Sequence, residues 1–413
     1  MPAILILLFI GSLAGTWLLS GIIPAMIYYG LDLIQPGIFL FATVLICALV
    51  SLATGSSWST VATIGVALLG MGTVLGIDKG LVAGAILSGA YFGDKMSPLS
   101  DTTNLAPAMA GTDLFTHIRY MAQTTIPTII ITMVIFFIIG LTRSFADVAT
   151  EMAGVQEAIS ERFLVHPVLF VVPVLMIILI IRKIPPLAAL LFGSLAAGLL
   201  AVVFQPDLVR EMAGIDGNAL KVSYVGVMKA MFSGIAVPTD NPALADLLDS
   251  GGMAGMLPTV WLIISAMVFG GVMEAGGLLS KITSSIMRLA RSTGSLVATT
   301  AGTCLFLNIS ASDQYISIVL PGRMFKEAYH NQGLKPEVLS RALEGSGTVT
   351  SVLVPWNTCG ATQSRVLGVP TLAYLPYTFF CLMSPFMEIL YAYLNIKIRR
   401  IPADERERKD INA

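Results

Sequence analysis

Residues 93–104 read Gly93-Asp94-Lys95-Met96-Ser97-Pro98-Leu99-Ser100-Asp101-Thr102-Thr103-Asn104. This stretch follows an apolar helical segment and places two acids, one base and several hydroxyl groups together. Proline lacks a backbone donor and its ring clashes with the preceding turn, so Pro98 predicts a break in the helix. A break frees backbone carbonyl groups beside Asp94 and Asp101. The stretch therefore predicts an interrupted helix that carries a polar site.

The composition of the chain is that of a membrane protein. Of the 413 residues, 55% are hydrophobic and 12% are charged. Soluble domains contain about 25% charged residues, and a soluble protein of this size could not cover its surface with so few. The net charge of −1 provides no basic field for nucleic acid. These values exclude an ordinary cytosolic enzyme and a disordered chain.

Long apolar runs predict membrane-spanning helices, each of which needs about 20 residues. The predicted spans are 3–23, 124–142, 167–181, 185–204, 258–276 and 371–396. Lys and Arg cluster at 182–183, 277–293 and 323–341 and after Ile396. Because cytoplasmic loops are enriched in these residues, we expect both chain termini in the cytoplasm and the more acidic connections 143–165 and 205–257 outside.

Two other apolar segments are interrupted by polar residues. Segment 37–76 breaks at residues 54–60, and segment 295–320 breaks at residues 308–313. Each arm is expected to be too short to cross the hydrocarbon layer alone. Non-helical backbone at that depth is tolerated only where it is buried in protein or lines a wet cavity. Both segments are therefore predicted to be re-entrant hairpins with polar tips near the midplane.

The same order of elements occurs twice. A span, a hairpin, a broken helix and a span occupy 3–142 and again 258–396, and the basic loops give the two copies opposite orientations. Inverted repeats with broken helices at corresponding positions are typical of secondary transporters. The predicted fold is an all-α polytopic membrane protein with two inverted-topology repeats, each containing a re-entrant hairpin and a broken helix.

This reading divides the chain into five parts. They are 1–142 as the first inverted repeat, 143–204 as connector and lead-in helices, 205–257 as an external loop, 258–396 as the second inverted repeat and 397–413 as a cytoplasmic tail. The four cysteines have no CxxC spacing and no nearby histidine, so neither a disulfide framework nor a metal site of that kind is expected.

The acids of the first break suggest ion exchange. A carboxylate that binds either Na+ or a proton makes the two ions compete, which is the simplest physical basis of Na+/H+ exchange. Ionisable residues at membrane depth are usually functional, so we expect Asp94 and Asp101 to hold Na+ and to exchange it for protons. The alternative is structural, with Asp94 paired to Lys95 and Asp101 capping a helix.

The second copy has fewer acids. Pro355 matches the proline of the first break, and Asn357 and Thr358 supply side-chain oxygens after it. Glu344 is a candidate acid in the preceding half-helix, although it could instead pair with Arg341 near the cytoplasmic surface.

Two more acids have both a functional and a structural interpretation. Asp313, with Ser310 beside it, is a candidate at the second hairpin tip and could instead cap the turn. Glu388 could relay protons or be satisfied within the helix bundle. The full candidate set for ion and proton binding is Ser57, Asp94, Ser97, Asp101, Thr102, Asn104, Ser310, Asp313, Glu344, Asn357 and Thr358.

Residues 89–106, together with 55–60, resemble the NhaC-type Na+/H+ antiporter family of the ion-transporter superfamily. The likeness also covers 117–119, 124–127 and 355–360 and spans nearly the whole chain. It implies two inverted repeats with re-entrant hairpins, exchange of Na+ for H+, and a bacterial or archaeal inner membrane. Family members generally carry helices before the position of Pro2, so the resemblance places the start of this chain at an internal span.

The resemblance leaves one functional alternative. Relatives include a malate/lactate exchanger coupled to Na+ and H+, so an organic-acid exchanger on the same fold is the second hypothesis. Carboxylate carriers of the superfamily use Ser-Asn-Thr turns at both breaks. The turn Ser100-Asp101-Thr102 has Asp in place of Asn, which favours a cation site.

The leading hypothesis is a secondary antiporter that exports Na+, or Li+, against proton influx by alternating access. An enzyme is disfavoured because the chain has no HExxH, GxSxG or P-loop pattern. No cofactor is expected besides the transported ions. The expected partners are the lipid bilayer, Na+ and H+, with no nucleic acid, and a homodimer remains open.

Overall fold

The computed structural model describes residues 2–33, 35–142, 148–182, 184–239, 245, 247–288 and 290–402. Nearly all regular structure in these ranges is helical. Five of the described helices are long and apolar enough to cross a membrane, and there are up to eight spans if each bent helix pair counts as one. The predicted all-α polytopic membrane class is confirmed. The inverted relation between the two copies stays a prediction.

The first predicted copy is built from a series of helices that ends with a long span. In its described residues these are α1 (Pro2–Leu19), α2 (Ile22–Leu33), α3 (Pro36–Thr54), α4 (Ser57–Val74), α5 (Lys79–Met96), α6 (Asp101–Ala110) and α7 (Leu114–Leu141). Helices α1 and α2 are bent by 68°. The predicted span 3–23 therefore ends at Leu19, and a second apolar helix follows it where no element was predicted.

The predicted hairpin 37–76 consists of α3 and α4. These helices contain 19 and 18 residues, and each is long and apolar enough to cross a membrane. The expectation that each arm is too short was therefore wrong for this segment, because the polar residues from Ser57 onward belong to α4 instead of a wide turn. Gly55 ends α3 with φ of 69°, and the Ser56 side chain caps α4 by accepting the Ser59 N–H.

The predicted break of the first long helix separates α5 from α6. Ser100 caps α6 by accepting the Thr103 N–H, and Asp101 is the first residue of that helix. A Cβ placed on Gly55 would lie 2.6 Å from Leu99 Cβ. Glycine therefore allows the α3–α4 turn to touch the α5–α6 break, which brings the two polar interruptions of the first copy together.

The middle of the chain is more ordered than predicted. Its described helices are α8 (Val148–Arg162), α9 (Pro167–Ile181), α10 (Pro186–Phe204), α11 (Pro206–Ala213) and α12 (Ala219–Phe232). The predicted external loop 205–257 thus contains α11 and α12, followed by antiparallel pairing of β1 (Ile235–Ala236) with β2 (Asp249–Ser250). Residues 240–244 of this segment, and Lys183 of the predicted basic turn, lie outside the described residues.

The second predicted copy repeats the order of elements. Its described helices are α13 (Ala254–Ala275), α14 (Leu278–Met287), α15 (Thr293–Ser310), α16 (Gln314–Asn331), α17 (Pro336–Leu343), α18 (Thr358–Leu367), α19 (Thr371–Tyr377) and α20 (Phe379–Tyr393). A π-helical turn, Glu344–Thr348, continues α17 towards the second break. The predicted span 371–396 is bent by 56° between α19 and α20. The predicted tail lies outside the described residues beyond residue 402.

The second predicted hairpin consists of α15 and α16, which pack against each other. Its break is narrower than predicted, because Asn308 and Ser310 still belong to α15 and only residues 311–313 interrupt the helices. Among the described helices, α15 and α16 fall short of the apolar character of a span. A re-entrant hairpin stays a prediction for this segment.

The two copies pack on each other reciprocally. Helix α6, which follows the first break, packs on α16 and α17, and α18, which follows the second break, packs on α4. The helix after each break therefore contacts the second arm of the other copy's hairpin. This arrangement carries the polar interruptions of both copies to one region of the protein.

Candidate functional site

A cavity of about 730 Å³ lies where the interruptions meet. Six of the predicted site residues line it: Asp94, Asp101, Thr102, Asn104, Asp313 and Thr358. Among the described residues that line the cavity, three are aspartates and none is Lys, Arg or His. The wall is therefore acidic, and its polar groups come from both copies.

Asp94 lies at the end of α5 and is half-buried. Its Oδ2 accepts hydrogen bonds from the Ser57 N–H at 3.1 Å and from the Ser57 hydroxyl at 2.6 Å. Ser57 is the first residue of α4, so the positive end of that helix dipole also faces the carboxylate. Two residues that the sequence analysis singled out separately thus form one unit, in which Ser57 orients the carboxyl group of Asp94.

Asp94 does not pair with Lys95, which was the structural alternative for this residue. The Lys95 ammonium group points away from its neighbour and donates to Ser384 Oγ at 3.0 Å. Asp101 is exposed at the start of α6, and the capping side chain there belongs to Ser100. Both aspartates therefore face the cavity without the roles that the structural reading gave them.

Two other polar side chains of the first break form hydrogen bonds with backbone groups of the turn. The Asn104 Nδ2 group donates to the Pro98 carbonyl at 3.0 Å and to the Ser100 carbonyl at 2.7 Å. The Ser97 hydroxyl oxygen is buried and accepts the Leu99 N–H at 3.2 Å. These bonds satisfy the peptide groups that the break leaves free, so both residues shape the turn.

The second break is closed by its own hydrogen bonds. The Asn357 Nδ2 group donates to the Asn308 carbonyl and to Asn308 Oδ1, both at 3.1 Å, and its Oδ1 accepts the Cys359 N–H at 3.0 Å. The Thr358 N–H donates to the Ser312 carbonyl at 3.0 Å. Asn357 is fully buried and does not line the cavity, whereas Thr358 does.

At the second hairpin tip, Asp313 has the capping role that was its alternative. Its Oδ1 accepts the N–H groups of Tyr315 at 2.8 Å and Ile316 at 3.1 Å, while the residue also lines the cavity. The Ser310 hydroxyl donates to the Phe306 carbonyl at 2.7 Å and lies outside the cavity lining. Asp313 is therefore part of the acidic wall, and Ser310 is not.

A buried charge cluster that the sequence analysis missed lies behind the break. Arg341 Nε is 2.7 Å from Glu388 Oε2, in a geometry that is an ion contact without hydrogen-bond alignment. Lys95 Nζ is 3.8 Å from Glu388 Oε1, and the same oxygen accepts the Thr124 hydroxyl at 2.7 Å. All three charged side chains are at most 1% exposed. Glu388 is thus satisfied within the bundle, as its structural alternative held.

Glu344 lies next to this cluster and is fully buried. Its Oε1 accepts the Thr102 hydroxyl at 3.0 Å, and its Oε2 has no hydrogen-bond partner. The alternative that Glu344 pairs with Arg341 was wrong, because Arg341 contacts Glu388. The buried charge cluster had one signal in the sequence, which was the presence of Lys95 and Glu388 as isolated charges in apolar segments.

No group of three or more His, Cys, Asp or Glu side chains within the described ranges could hold a metal ion. The residues that line the cavity carry carboxylate and hydroxyl oxygens, which are ligands that hard cations prefer.

A helical membrane protein in which two interrupted helices meet at an acidic cavity has the architecture of a secondary transporter. The chain belongs to the Na+/H+ antiporter family, whose sequence model matches residues 89–396. Its relatives are antiporters, not enzymes.

Several relatives are similar over almost the entire chain. It is 38% identical to the Na+/H+ antiporter NhaC of Alkalihalophilus pseudofirmus, covering 96% of this chain and 82% of that one. It is 36% identical to Na+/H+ antiporter NhaC of Bacillus subtilis, covering 95% and 83%. It is 37% identical to the malate-2H+/Na+-lactate antiporter of Bacillus subtilis, covering 95% and 81%. Among solved structures, Neisseria gonorrhoeae MtrF is similar over 95% of this chain and 81% of that one, with 15% identity and a TM-score of 0.38.

Proposed function

We propose that this protein is a secondary active transporter that exchanges Na+, or Li+, for H+, and that Asp94 is the carboxylate that binds either ion. The observation that carries the proposal is the position of Asp94 on the cavity wall with Ser57 holding one carboxylate oxygen. A carboxylate oriented in this way can take up a proton or a cation from the cavity. Family membership supports the same exchange.

Asp101 completes the proposed cation site. It is exposed to the same cavity, lies at the start of α6 and is free of a capping role. A second carboxylate near Asp94 raises the attraction for a cation and disfavours an anion. Asp313 and the Thr358 side chain extend this acidic, oxygen-rich wall from the second copy.

The charges around the cavity favour a cation substrate over an organic acid. A carboxylate substrate needs a cationic partner, and Lys95 is the basic residue nearest the first break. Its ammonium group is buried against Ser384 and Glu388, so it is not available to a ligand in the cavity. The described lining also contains no Lys or Arg.

Coupled exchange of an organic acid is the second candidate. It is favoured by the malate-2H+/Na+-lactate antiporter, which is 37% identical to this chain, and by a cavity of about 730 Å³. A cavity of that size exceeds what a single alkali ion needs and falls in the range of small-molecule sites.

We further propose that transport follows alternating access between two inverted repeats, in the inner membrane of a bacterium or archaeon, with both chain termini in the cytoplasm. The reciprocal packing of α6 and α18 on the opposite copy supports a two-fold relation. The clusters of Lys and Arg at 277–293 and 323–341 support the orientation.

Transport in vesicles tests the function. Purified protein is reconstituted into liposomes with an imposed pH gradient that is followed by a fluorescent dye. We expect Na+ pulses alone to collapse the gradient, whereas an organic-acid exchanger needs malate or lactate as well. Asp94→Asn is expected to abolish the response, and Asp207→Asn, an exposed aspartate on α11 outside the cavity, is expected to retain it. Exchange by Asp94→Asn at the normal rate would remove Asp94 from the site.

A further inference from the structure

Two hydroxyl groups connect the cavity with the buried carboxyl group of Glu344. The Thr102 hydroxyl donates to Glu344 Oε1 at 3.0 Å and lies 3.2 Å from Ser100 Oγ. The Ser100 hydroxyl in turn lies beside the carboxyl group of Asp94. A series of side-chain oxygens therefore leads from Asp94 and Ser100, which line the same cavity, through Thr102 to Glu344.

This series suits a proton and not a sodium ion. Glu344 is 0% exposed and does not line the cavity, whereas Thr102 does. A sodium ion would need room and several oxygen ligands along the way, and the groups between the two carboxyls are packed side chains. A hydroxyl group needs no such room, because it can accept a proton on its oxygen and release its own proton to the next acceptor.

The transfer balances without any other reactant. The carboxyl group of Asp94 gives its proton to Ser100 Oγ, Ser100 gives its hydroxyl proton to Thr102, and Thr102 gives its hydroxyl proton to Glu344. Three O–H bonds break and three form, both hydroxyl groups are restored, and one proton has moved from Asp94 to Glu344. The reverse sequence returns it to the cavity.

Glu344 differs from the other buried carboxylate in a way that favours proton uptake. Glu388 is engaged by Lys95, Arg341 and Thr124. Among the described residues Glu344 makes no ion contact within 4.0 Å, and its carboxyl group lies beside the hydroxyl groups of Thr102 and Thr348. Burial without an ion contact disfavours the charged form of a carboxyl group and so favours the protonated form.

The surroundings of Glu344 come from several elements. It lies in the π-helical turn Glu344–Thr348, and turns of this kind occur frequently at functional sites. The titratable groups that interact with it are Asp94, Lys95 and Cys304, and the Arg341–Glu388 pair completes the buried charge cluster through Lys95. With both glutamates ionised, the cluster contains two cations and two anions. A proton on Glu344 leaves a net positive charge there, so a cation bound at Asp94 opposes that proton.

We propose that Glu344 is a second proton-binding carboxyl group that exchanges protons with Asp94 and the cavity through Ser100 and Thr102. Binding of Na+ at Asp94 then releases the protons of both carboxyl groups. This inference rests on the proposed exchange of Na+ for H+ at Asp94.

The number of protons released on Na+ binding tests it. Purified protein in detergent is mixed with Na+ in weakly buffered solution that contains a pH dye, and bound Na+ is counted with the radioactive ion. We expect more than one proton per Na+ in the wild type and a single proton in Glu344→Gln. Equal release by the two proteins would overturn the inference. If the wild type releases no protons when Na+ is added, the proposed function itself is overturned.

The relay is tested separately at Thr102, so that the proposal does not depend on the folding of a buried glutamate variant. Thr102→Val keeps the shape of the side chain and removes the hydroxyl group, and Thr102→Ser keeps the hydroxyl group. In stopped-flow mixing with saturating Na+, we expect Thr102→Val to slow the release of the second proton by about tenfold or more and Thr102→Ser to retain the wild-type rate. Equal rates in the two variants would exclude the relay.

Discussion

The buried contacts of Glu388 predict a large and specific loss of stability. Its carboxylate is 2.7 Å from Arg341 Nε and 3.8 Å from Lys95 Nζ, and all three side chains are at most 1% exposed. Removing one partner of a buried ion pair costs about 3–5 kcal/mol, because the other charge is left uncompensated in a low dielectric. Since a glutamine can still accept the Thr124 hydroxyl, we expect Glu388→Gln to lower the free energy of unfolding by about that amount.

A double-mutant cycle separates the ion pair from other effects of the substitution. Lys95→Met removes one of the two cations, so the double variant Lys95→Met/Glu388→Gln loses one positive and one negative buried charge and keeps the net charge of the wild-type cluster. We expect its loss of stability to be smaller than the sum of the two single losses by about 0.5–3 kcal/mol, the range measured for groups in contact.

Unfolding in mixed detergent micelles, followed by tryptophan fluorescence, measures all four proteins. Glu327→Gln serves as a control, because Glu327 is exposed and surface substitutions usually change stability by less than about 0.5 kcal/mol. Two outcomes would contradict the prediction. The losses in unfolding free energy of the two single variants could add up to that of the double variant, or Glu388→Gln could be as stable as the control. Either result would show that the cluster does not hold the helices together.

Two further substitutions separate the two breaks. Asp101→Asn is expected to raise the apparent Km for Na+ at fixed pH in the vesicle assay, because it removes a negative charge from the cavity wall; an unchanged Km would place Asp101 outside the site. Asn357→Ala removes the bonds to Asn308 and the Cys359 N–H, so we expect a loss of about 2–4 kcal/mol of stability in the same micelle titration. Its Km for Na+ should stay normal because Asn357 does not line the cavity, and a raised Km would show that the second break also binds the ion.

The residues that gather at the candidate site could be predicted in part because polar residues are rare in this chain. A proline among acids and hydroxyl groups after an apolar helix has few explanations other than a functional break, and the break at Pro98 lies where it was expected. The same reasoning pointed to Asp94, Asp101 and Asp313, which line one cavity. Composition alone sufficed for the fold class, since so few charges cannot cover a soluble surface.

The lengths of the hairpin arms could not be predicted in the same way. The sequence from Ser56 to Thr60 is polar and was interpreted as a wide turn, although Ser57 onward forms the first turn of α4. Serine and threonine are compatible with helix starts as well as with turns, because their side chains can cap the free N–H groups. Only the position of the neighbouring carboxylate shows that Ser57 serves as a donor to Asp94.

The partners of the buried charges depended on packing that no local pattern reveals. Lys95 and its hydrogen-bond partner Ser384 are 289 residues apart, and Thr102 and Glu344 are 242 residues apart. The sequence analysis singled out Lys95, Thr102 and Glu344 but not Ser384. It could not show that Arg341 contacts Glu388 and leaves Glu344 to Thr102, because that choice follows from how α17 and α20 sit against α5 and α6.

The mutual bonds of Asn308 and Asn357 make the two interruptions unequal. The first interruption supplies Asp94 and Asp101 to the cavity wall, whereas side-chain amides hold the second interruption to its own hairpin. If the two copies arose by duplication, they have since diverged, so that the first break carries the carboxylates and the second carries the stabilising amide hydrogen bonds. Substitutions within residues 94–104 are then expected to change ion selectivity, whereas Asn308 and Asn357 are constrained by their contribution to stability.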